Sequence, residues 1–394
     1  MRRAPAILGS LALLTGLTGL TACYLDDPLP AAGGSGGAGG SGGSGGAPLG
    51  PDEVLCEGRR LLAVPEDPAA PGPWPVGART ITVAGYTTEI WYPATPGSDA
   101  GEARAEYDLR LQLPDADQGK IPDQDNPAQA CDCTRDLPLD EAHGPYPMVL
   151  FVHGTAGFRT QSLTFMTHWA SRGFVVIAAD HPGMMLKDIL GGSFGFHQAD
   201  QAGEILDALA QPAGEAAFLA GHVLPDHLGM SGHSAGGGAI SGFGDRAQVL
   251  IPMASGGTGS GAVLRSSLIL GGMDDGVVDY ASTQGGYQAS PAPKRLVGLL
   301  GGGHLAFSDI CFVGRDQGGI LQVAIDHGIT VPAIVATLGK DGCQPGQLTP
   351  EEAWPIVNHA TAAVLEETLA CGASGKLTGM EAAYPDVGEL LEEL

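Results

Sequence analysis

An α/β fold on a mostly parallel central sheet is predicted on three grounds. From residue 148 onward, short apolar runs alternate with helix-like segments, the signature of strands joined by crossover helices. The 394 residues are 43% hydrophobic, enough for a sizeable core without help from a metal. The 63 glycines are clustered rather than spread, which separates turns and a tether from disorder. Formal net charge is −25, with no basic run, so the phosphate-neutralising surface that nucleic-acid binding needs is missing.

Met1, Arg2 and Arg3 precede an apolar, uncharged run from Ala4 to Ala22, the pattern of an export signal. Leu20-Thr21-Ala22-Cys23 ends it and resembles a bacterial lipobox, which implies diacylglycerol on Cys23 and an envelope location, facing the periplasm or the cell surface, or secretion. Residues 33–46 hold only Gly, Ser and one Ala, a flexible tether. The expected organisation is a signal over 1–22, a lipidated cysteine and tether over 23–50, and one domain over 51–394. After Cys23 come Cys56, Cys131, Cys133, Cys311, Cys343 and Cys371, an even set that favours disulfides over metal, with 15 connectivities open.

Within the domain, Arg79 to Val83 and Thr87 to Pro93 alternate β-branched and aromatic residues about Gly85, a hairpin. Residues 97–146, rich in Asp, Pro and Gly, form a long surface insertion. Met148 to Val152, Phe174 to Ala179, His227 to Ser231, Val249 to Pro252, Leu264 to Leu270 and Arg295 to Leu300 are apolar strands. Helices fit Ser162 to Arg172 and Gln198 to Ala210. Thr349-Pro350-Glu351-Glu352 opens a C-terminal helix with a capping box and Pro at its first position; Gly372 closes it.

Gly232-His233-Ser234-Ala235-Gly236 lies between an apolar strand and a small-residue helix start, the setting in which G-x-S-x-G presents a nucleophilic serine. A serine hydroxyl needs an imidazole base, and the base a carboxylate to orient it. Asp275, just past the strand that ends at Leu270, is the expected acid, ahead of Asp274 and Asp279. His304, after the next strand and three glycines, is the expected base, ahead of His327 and His359 in helix-like segments. Oxyanion donors are expected from the N–H groups of Ala235 and Thr155, the latter in the loop His153-Gly154-Thr155-Ala156-Gly157. His153, His181 and His233 are read as supporting residues.

These motifs resemble the serine α/β-hydrolases, and among them the platelet-activating-factor acetylhydrolases and cutinase-like polyester hydrolases. The likeness rests on Ile90-Trp91-Tyr92-Pro93, Phe151-Val152-His153-Gly154, Trp169 to Val176, Gly232 to Gly237 and Gly303-His304-Leu305. It implies an α/β-hydrolase fold with about eight strands flanked by helices. It also implies hydrolysis of short-chain, lipid or polymeric carboxylic esters through an acyl-serine, by a monomer with no cofactor and no metal. A non-catalytic binding or scaffold lipoprotein on the same fold is the alternative, and would require loss of a triad member.

Overall fold

The computed structural model describes residues 49–394. The signal, Cys23 and nearly all of the tether lie outside the described residues. Among those described, no helix is long and apolar enough to cross a membrane.

Ten strands form the main sheet. In chain order they are β1 (Val76–Val83), β2 (Tyr86–Pro93), β3 (Thr134–Arg135), β4 (Tyr146–Val152) and β5 (Val175–Ala179), then β6 (Val223–His233), β7 (Val249–Met253), β8 (Ser266–Gly272), β9 (Lys294–Leu299) and β10 (Val387–Glu393). Their spatial order is β10-β9-β8-β7-β6-β4-β5-β2-β1-β3. Strands β5, β4, β6, β7, β8 and β9 run parallel to their neighbours, while β2 and β10 pair antiparallel to the two ends of that block. The eight expected strands are present. The two additions are both edge strands: β3, only two residues long, out of the 97–146 insertion, and β10 from the C-terminus, a Glu-rich and mostly exposed run with no strand signal.

Local chemistry explains the elements. In β1-β2, Val83 pairs with Tyr86, so the hairpin loop is Ala84-Gly85, and both have positive φ (51° and 87°), as a two-residue primed turn requires. In β4, Val149 and Phe151 enter one core cluster while Met148, Leu150 and Val152 enter another, so the sheet is buried on both faces. The first face is covered by α1 (Leu163–Ser171) and the C-terminal helix, Pro350–Leu369, whose Thr349 N–H donates to Glu352 at 2.9 Å. The second packs against a helix over Gln198–Leu209, with Ala202, Ile205 and Leu206 inward.

The six cysteines pair as Cys56–Cys371, Cys131–Cys133 and Cys311–Cys343. The first ties an N-terminal hairpin, Glu53–Cys56 with Arg59–Leu62, to the end of the C-terminal helix. That helix ends two residues before Cys371, which takes the left-handed conformation (φ 55°) expected of the glycine beside it.

The insertion is less superficial than its composition implies. Tyr107, Cys131 and Cys133 join the main core, and the Tyr107 hydroxyl donates to Glu89 at 3.0 Å. Glu89 is fully buried on β2 and also pairs with Arg135 of β3. A buried carboxylate is tolerable only when paired and hydrogen-bonded, so the insertion supplies partners that this strand position needs.

Candidate functional site

Strand register brings the site together. Gly232 of β6 pairs with Val152 of β4, and His233 pairs with Met253 of β7. On the other side, Gly272 of β8 pairs with Leu299 of β9. The loops that carry Thr155, Ser234, Asp275 and His304 therefore all leave the carboxyl ends of parallel strands, the edge at which open α/β sheets bind ligands.

Ser234 sits at φ 55°, ψ −121°, a region that L-residues avoid, between the end of β6 and a helix over Ala235–Ile240. The flanking glycines are sterically required. A Cβ on Gly232 would stand 2.4 Å from the Gly236 carbonyl oxygen, and one on Gly236 would stand 2.1 Å from that of Val152. The turn aims the serine hydroxyl at His304, with Oγ and Nε2 2.9 Å apart. On the other side of the ring, Nδ1 lies 2.9 Å from Asp275 Oδ2. Asp275 Oδ1 accepts the N–H groups of Val277 and Val278, both at 2.8 Å, which fixes the carboxylate. Asp274 is exposed, and Asp279 caps the next helix by accepting from Ala281 N–H at 3.1 Å. Neither reaches His304. His359 is turned to Lys376 O (2.8 Å), and His327 to Asp125 (3.4 Å).

The Thr155 N–H makes no hydrogen bond among the described residues, and Ala235 stands in the first helical turn, where N–H groups lack an intrahelical acceptor. Both lie by Ser234, Thr155 as a wall of its cleft. Ala156, next in the loop, has φ 54°.

The three supporting histidines are buried, and desolvation holds each as a neutral ring: His181 and His233 down to about 3, His153 lowered as well. Neutrality lets each ring donate on one side and accept on the other. His153 Nδ1–H donates to Gly154 O (2.8 Å), and its Nε2 accepts the His181 backbone N–H (3.0 Å). His233 Nε2–H donates to His304 O (2.8 Å), and its Nδ1 accepts from Gln161 Nε2 (3.0 Å). Gln161 Oε1 accepts the Gly154 N–H at 3.2 Å. One amide thus joins the oxyanion loop, through His233, to the backbone of His304.

Sequence reasoning missed Gln161 and a second acid. Asp341 Oδ1 accepts the His304 N–H at 2.7 Å, and its Oδ2 accepts the Gly276 N–H at 2.8 Å. The base loop and the acid loop are thereby held by one carboxylate. Its only signal in sequence was Cys343 two positions on, whose partner Cys311 could not be chosen.

Residues 136–243 match the chlorophyllase family, a span of about a quarter of the chain that runs from β4 past Ser234. No curated protein matches the sequence. Among solved structures, a ferulic acid esterase from Streptomyces cinnamoneus is similar, with a TM-score of 0.53 and 19% identity over 83% of this chain and 98% of that one. Strand order, crossover connections and this structural likeness together give the chain an α/β-hydrolase fold.

Proposed function

We propose that the protein is a serine carboxylic-ester hydrolase that works through an acyl-serine. The observation that carries this reading is the continuous Asp275–His304–Ser234 hydrogen-bond chain, with both links at 2.9 Å, beside two N–H groups able to receive an oxyanion. The chlorophyllase-family match and the esterase neighbour support ester substrates.

Ser234 Oγ bonds to the ester carbonyl carbon as His304 Nε2 takes the hydroxyl proton; Asp275 holds the ring and stabilises the imidazolium. The carbonyl oxygen becomes an oxyanion facing the Thr155 and Ala235 N–H groups. Collapse breaks the bond to the alkoxy oxygen, which leaves as the alcohol with the proton from His304. Water then gives a proton to His304 and its oxygen to the acyl carbon; the carboxylic acid departs and Ser234 regains its proton. Burial of His304 and Asp275, each about 2% exposed or less at the side chain, keeps bulk water from competing for the two hydrogen bonds. Lipidation at Cys23 and an envelope location, supported by the sequence alone, complete the proposal.

The test uses the purified full-length chain with p-nitrophenyl acetate and a fluorophosphonate. Turnover and labelling of the protein are expected, and Ser234→Ala should abolish labelling and lower kcat by about 10⁴-fold or more. A folded protein that neither turns over nor labels would leave the binding-protein alternative standing.

A further inference from the structure

The cleft at Ser234 does not end at the catalytic residues. Beyond Thr155 its walls are Phe158 and Leu186, with Ile320, Leu321 and Val335 from the segment after His304. A second cavity lies on the far side of those same five side chains. Its remaining apolar walls come chiefly from Leu113 and Ile121 of the 97–146 insertion, and from Val323 and Ala324 with Val331 of the later segment, with Leu190 beside them. These residues, with Ile329, form a separate hydrophobic cluster outside the two sheet-face cores.

The cavity is uncharged on its inner side. Arg110, on its wall, turns its guanidinium to Asp108 and Asp123, and Asn126 donates to Asp108. Gln112, also on the wall, keeps its Oε1 buried without a partner. Polar clasps tie the two segments together: Lys120 Nζ donates to Gly328 O at 3.4 Å, and His327 meets Asp125 at 3.4 Å. Cys311–Cys343 roots the segment that carries Ile320 to Val335. The 97–146 insertion and the segment after His304 thus meet around an apolar pocket that shares walls with the catalytic cleft.

The lining selects the occupant. The five shared side chains and the inner walls around them are hydrocarbon, so the pocket favours an uncharged apolar group and disfavours a polar one that would lose its hydration there.

Resting on the ester-hydrolase reading above, we infer that this cavity is the subsite for an aliphatic arm of the ester whose carbonyl sits at Ser234. The arm passes between Leu186 and Leu321, both half-buried. Leu113, Ile121 and Val323 lie outside the span that matches the chlorophyllase family, while Phe158, Leu186 and Leu190 lie within it, so the subsite is built jointly by the matched frame and by segments outside it.

Two ester series test this on the full-length chain: p-nitrophenyl esters with acyl chains of two to twelve carbons, and acetates of linear alcohols over the same range. Each buried methylene contributes up to about a fourfold gain. kcat/KM should therefore rise at least tenfold from two carbons to a longer optimum in one series, then fall; which series rises tells whether the arm is acyl or alkyl. Leu113→Phe and Ala324→Leu fill the cavity and should erase that rise while leaving the two-carbon ester within about threefold. Flat profiles in both series, or fillings that depress short and long esters alike, would overturn the subsite while leaving the esterase reading intact. A folded chain inert to p-nitrophenyl acetate and to fluorophosphonate sinks both. If the filling variants do not fold, Leu321→Ala, which widens the neck, should move the optimum to longer chains; an unmoved optimum counts against the subsite.

Discussion

The sheet edge that carries Ser234 and the apolar roof above it hold their side chains by different means. At the edge, geometry is set by backbone. Four loops leave paired parallel strands, and glycines stand where neighbouring carbonyls leave no room for a Cβ. In the roof, short helices and turns from residues 109–127 and 320–338 meet through apolar packing and a few polar clasps, and one disulfide closes the base of the second segment. A catalytic constellation tolerates displacements well below 1 Å. A chain-binding surface tolerates far more, because dispersion contacts are non-directional. The difference teaches that precision here is bought with backbone and adaptability with side chains.

The largest expected effect probes the edge. Gly236→Ala would put a Cβ 2.1 Å from the Val152 carbonyl oxygen and 2.6 Å from that of His153, both backbone atoms that cannot turn aside. It should cost about 3 kcal/mol or more, or prevent folding, since overpacking a tight site costs 1–3 kcal/mol even when side chains can adjust. Gly238→Ala, two residues on and with open space around it, is the control. There alanine should stabilise by about 0.5–1 kcal/mol through helix propensity. Urea unfolding of the two variants reads the contrast, and equal losses would show that the elbow is not sterically fixed.

A smaller effect is expected where the two regions join. Asp341 belongs to the segment that builds the roof, yet it holds the His304 and Gly276 N–H groups at the edge. Asp341→Ala frees both loops and should lower kcat by about 10- to 100-fold with KM nearly unchanged, because misplacement by about 1 Å costs on that order. Asp341→Asn keeps one acceptor and should recover part of the loss. If KM rose while kcat held, Asp341 would serve the roof alone.

The same division explains what could be read in sequence. Ser234, its glycines and the strands on either side were legible because local sterics and a run of apolar residues write themselves into adjacent positions. The run Asp275-Gly276-Val277-Val278, which resembles the Asp-x-x-Val run of serine hydrolases, favours Asp275 over Asp274, and the structure brings Asp275 to His304 while leaving Asp274 exposed. Gln161, Asp341 and the roof were not legible. Each owes its role to a partner far along the chain, Gln161 to His233, Asp341 to His304, Leu113 to Val323, and no local pattern encodes such a pairing. The strand Val387–Glu393 was missed for a related reason: an edge strand draws on its neighbour β9 for hydrogen bonds and needs few apolar residues of its own.

Acid sets the smallest and most graded contrast, because burial pushes groups at the edge in opposite directions. Desolvation holds His181 and His233 down to about 3 and His168 to about 4, with His153 lowered too. Unfolded histidine titrates near 6.5. Below that pH the unfolded chain binds protons the folded chain refuses, so this contribution is whole above about 6.5 and is lost as pH falls toward the folded values. Asp309, five residues past His304, opposes them: desolvation raises it to about 7, from an unfolded value of 3.8. Its contribution is whole below about 3.8 and is lost as pH rises through 7. Between pH 6 and 4.5 His168, His181 and His233 outweigh Asp309 by roughly 1.4 to 1.9 protons, and these four groups alone should remove about 2–2.5 kcal/mol per pH unit. Asp309→Asn removes the opposing proton, so stability should fall more steeply on acidification, by about 1.4 kcal/mol per pH unit. Denaturant midpoints at pH 6, 5.25 and 4.5 measure both slopes. Parallel slopes would mean that Asp309 is already ionised in the folded chain, and that its unpartnered Oδ1 is satisfied by a donor from outside the chain.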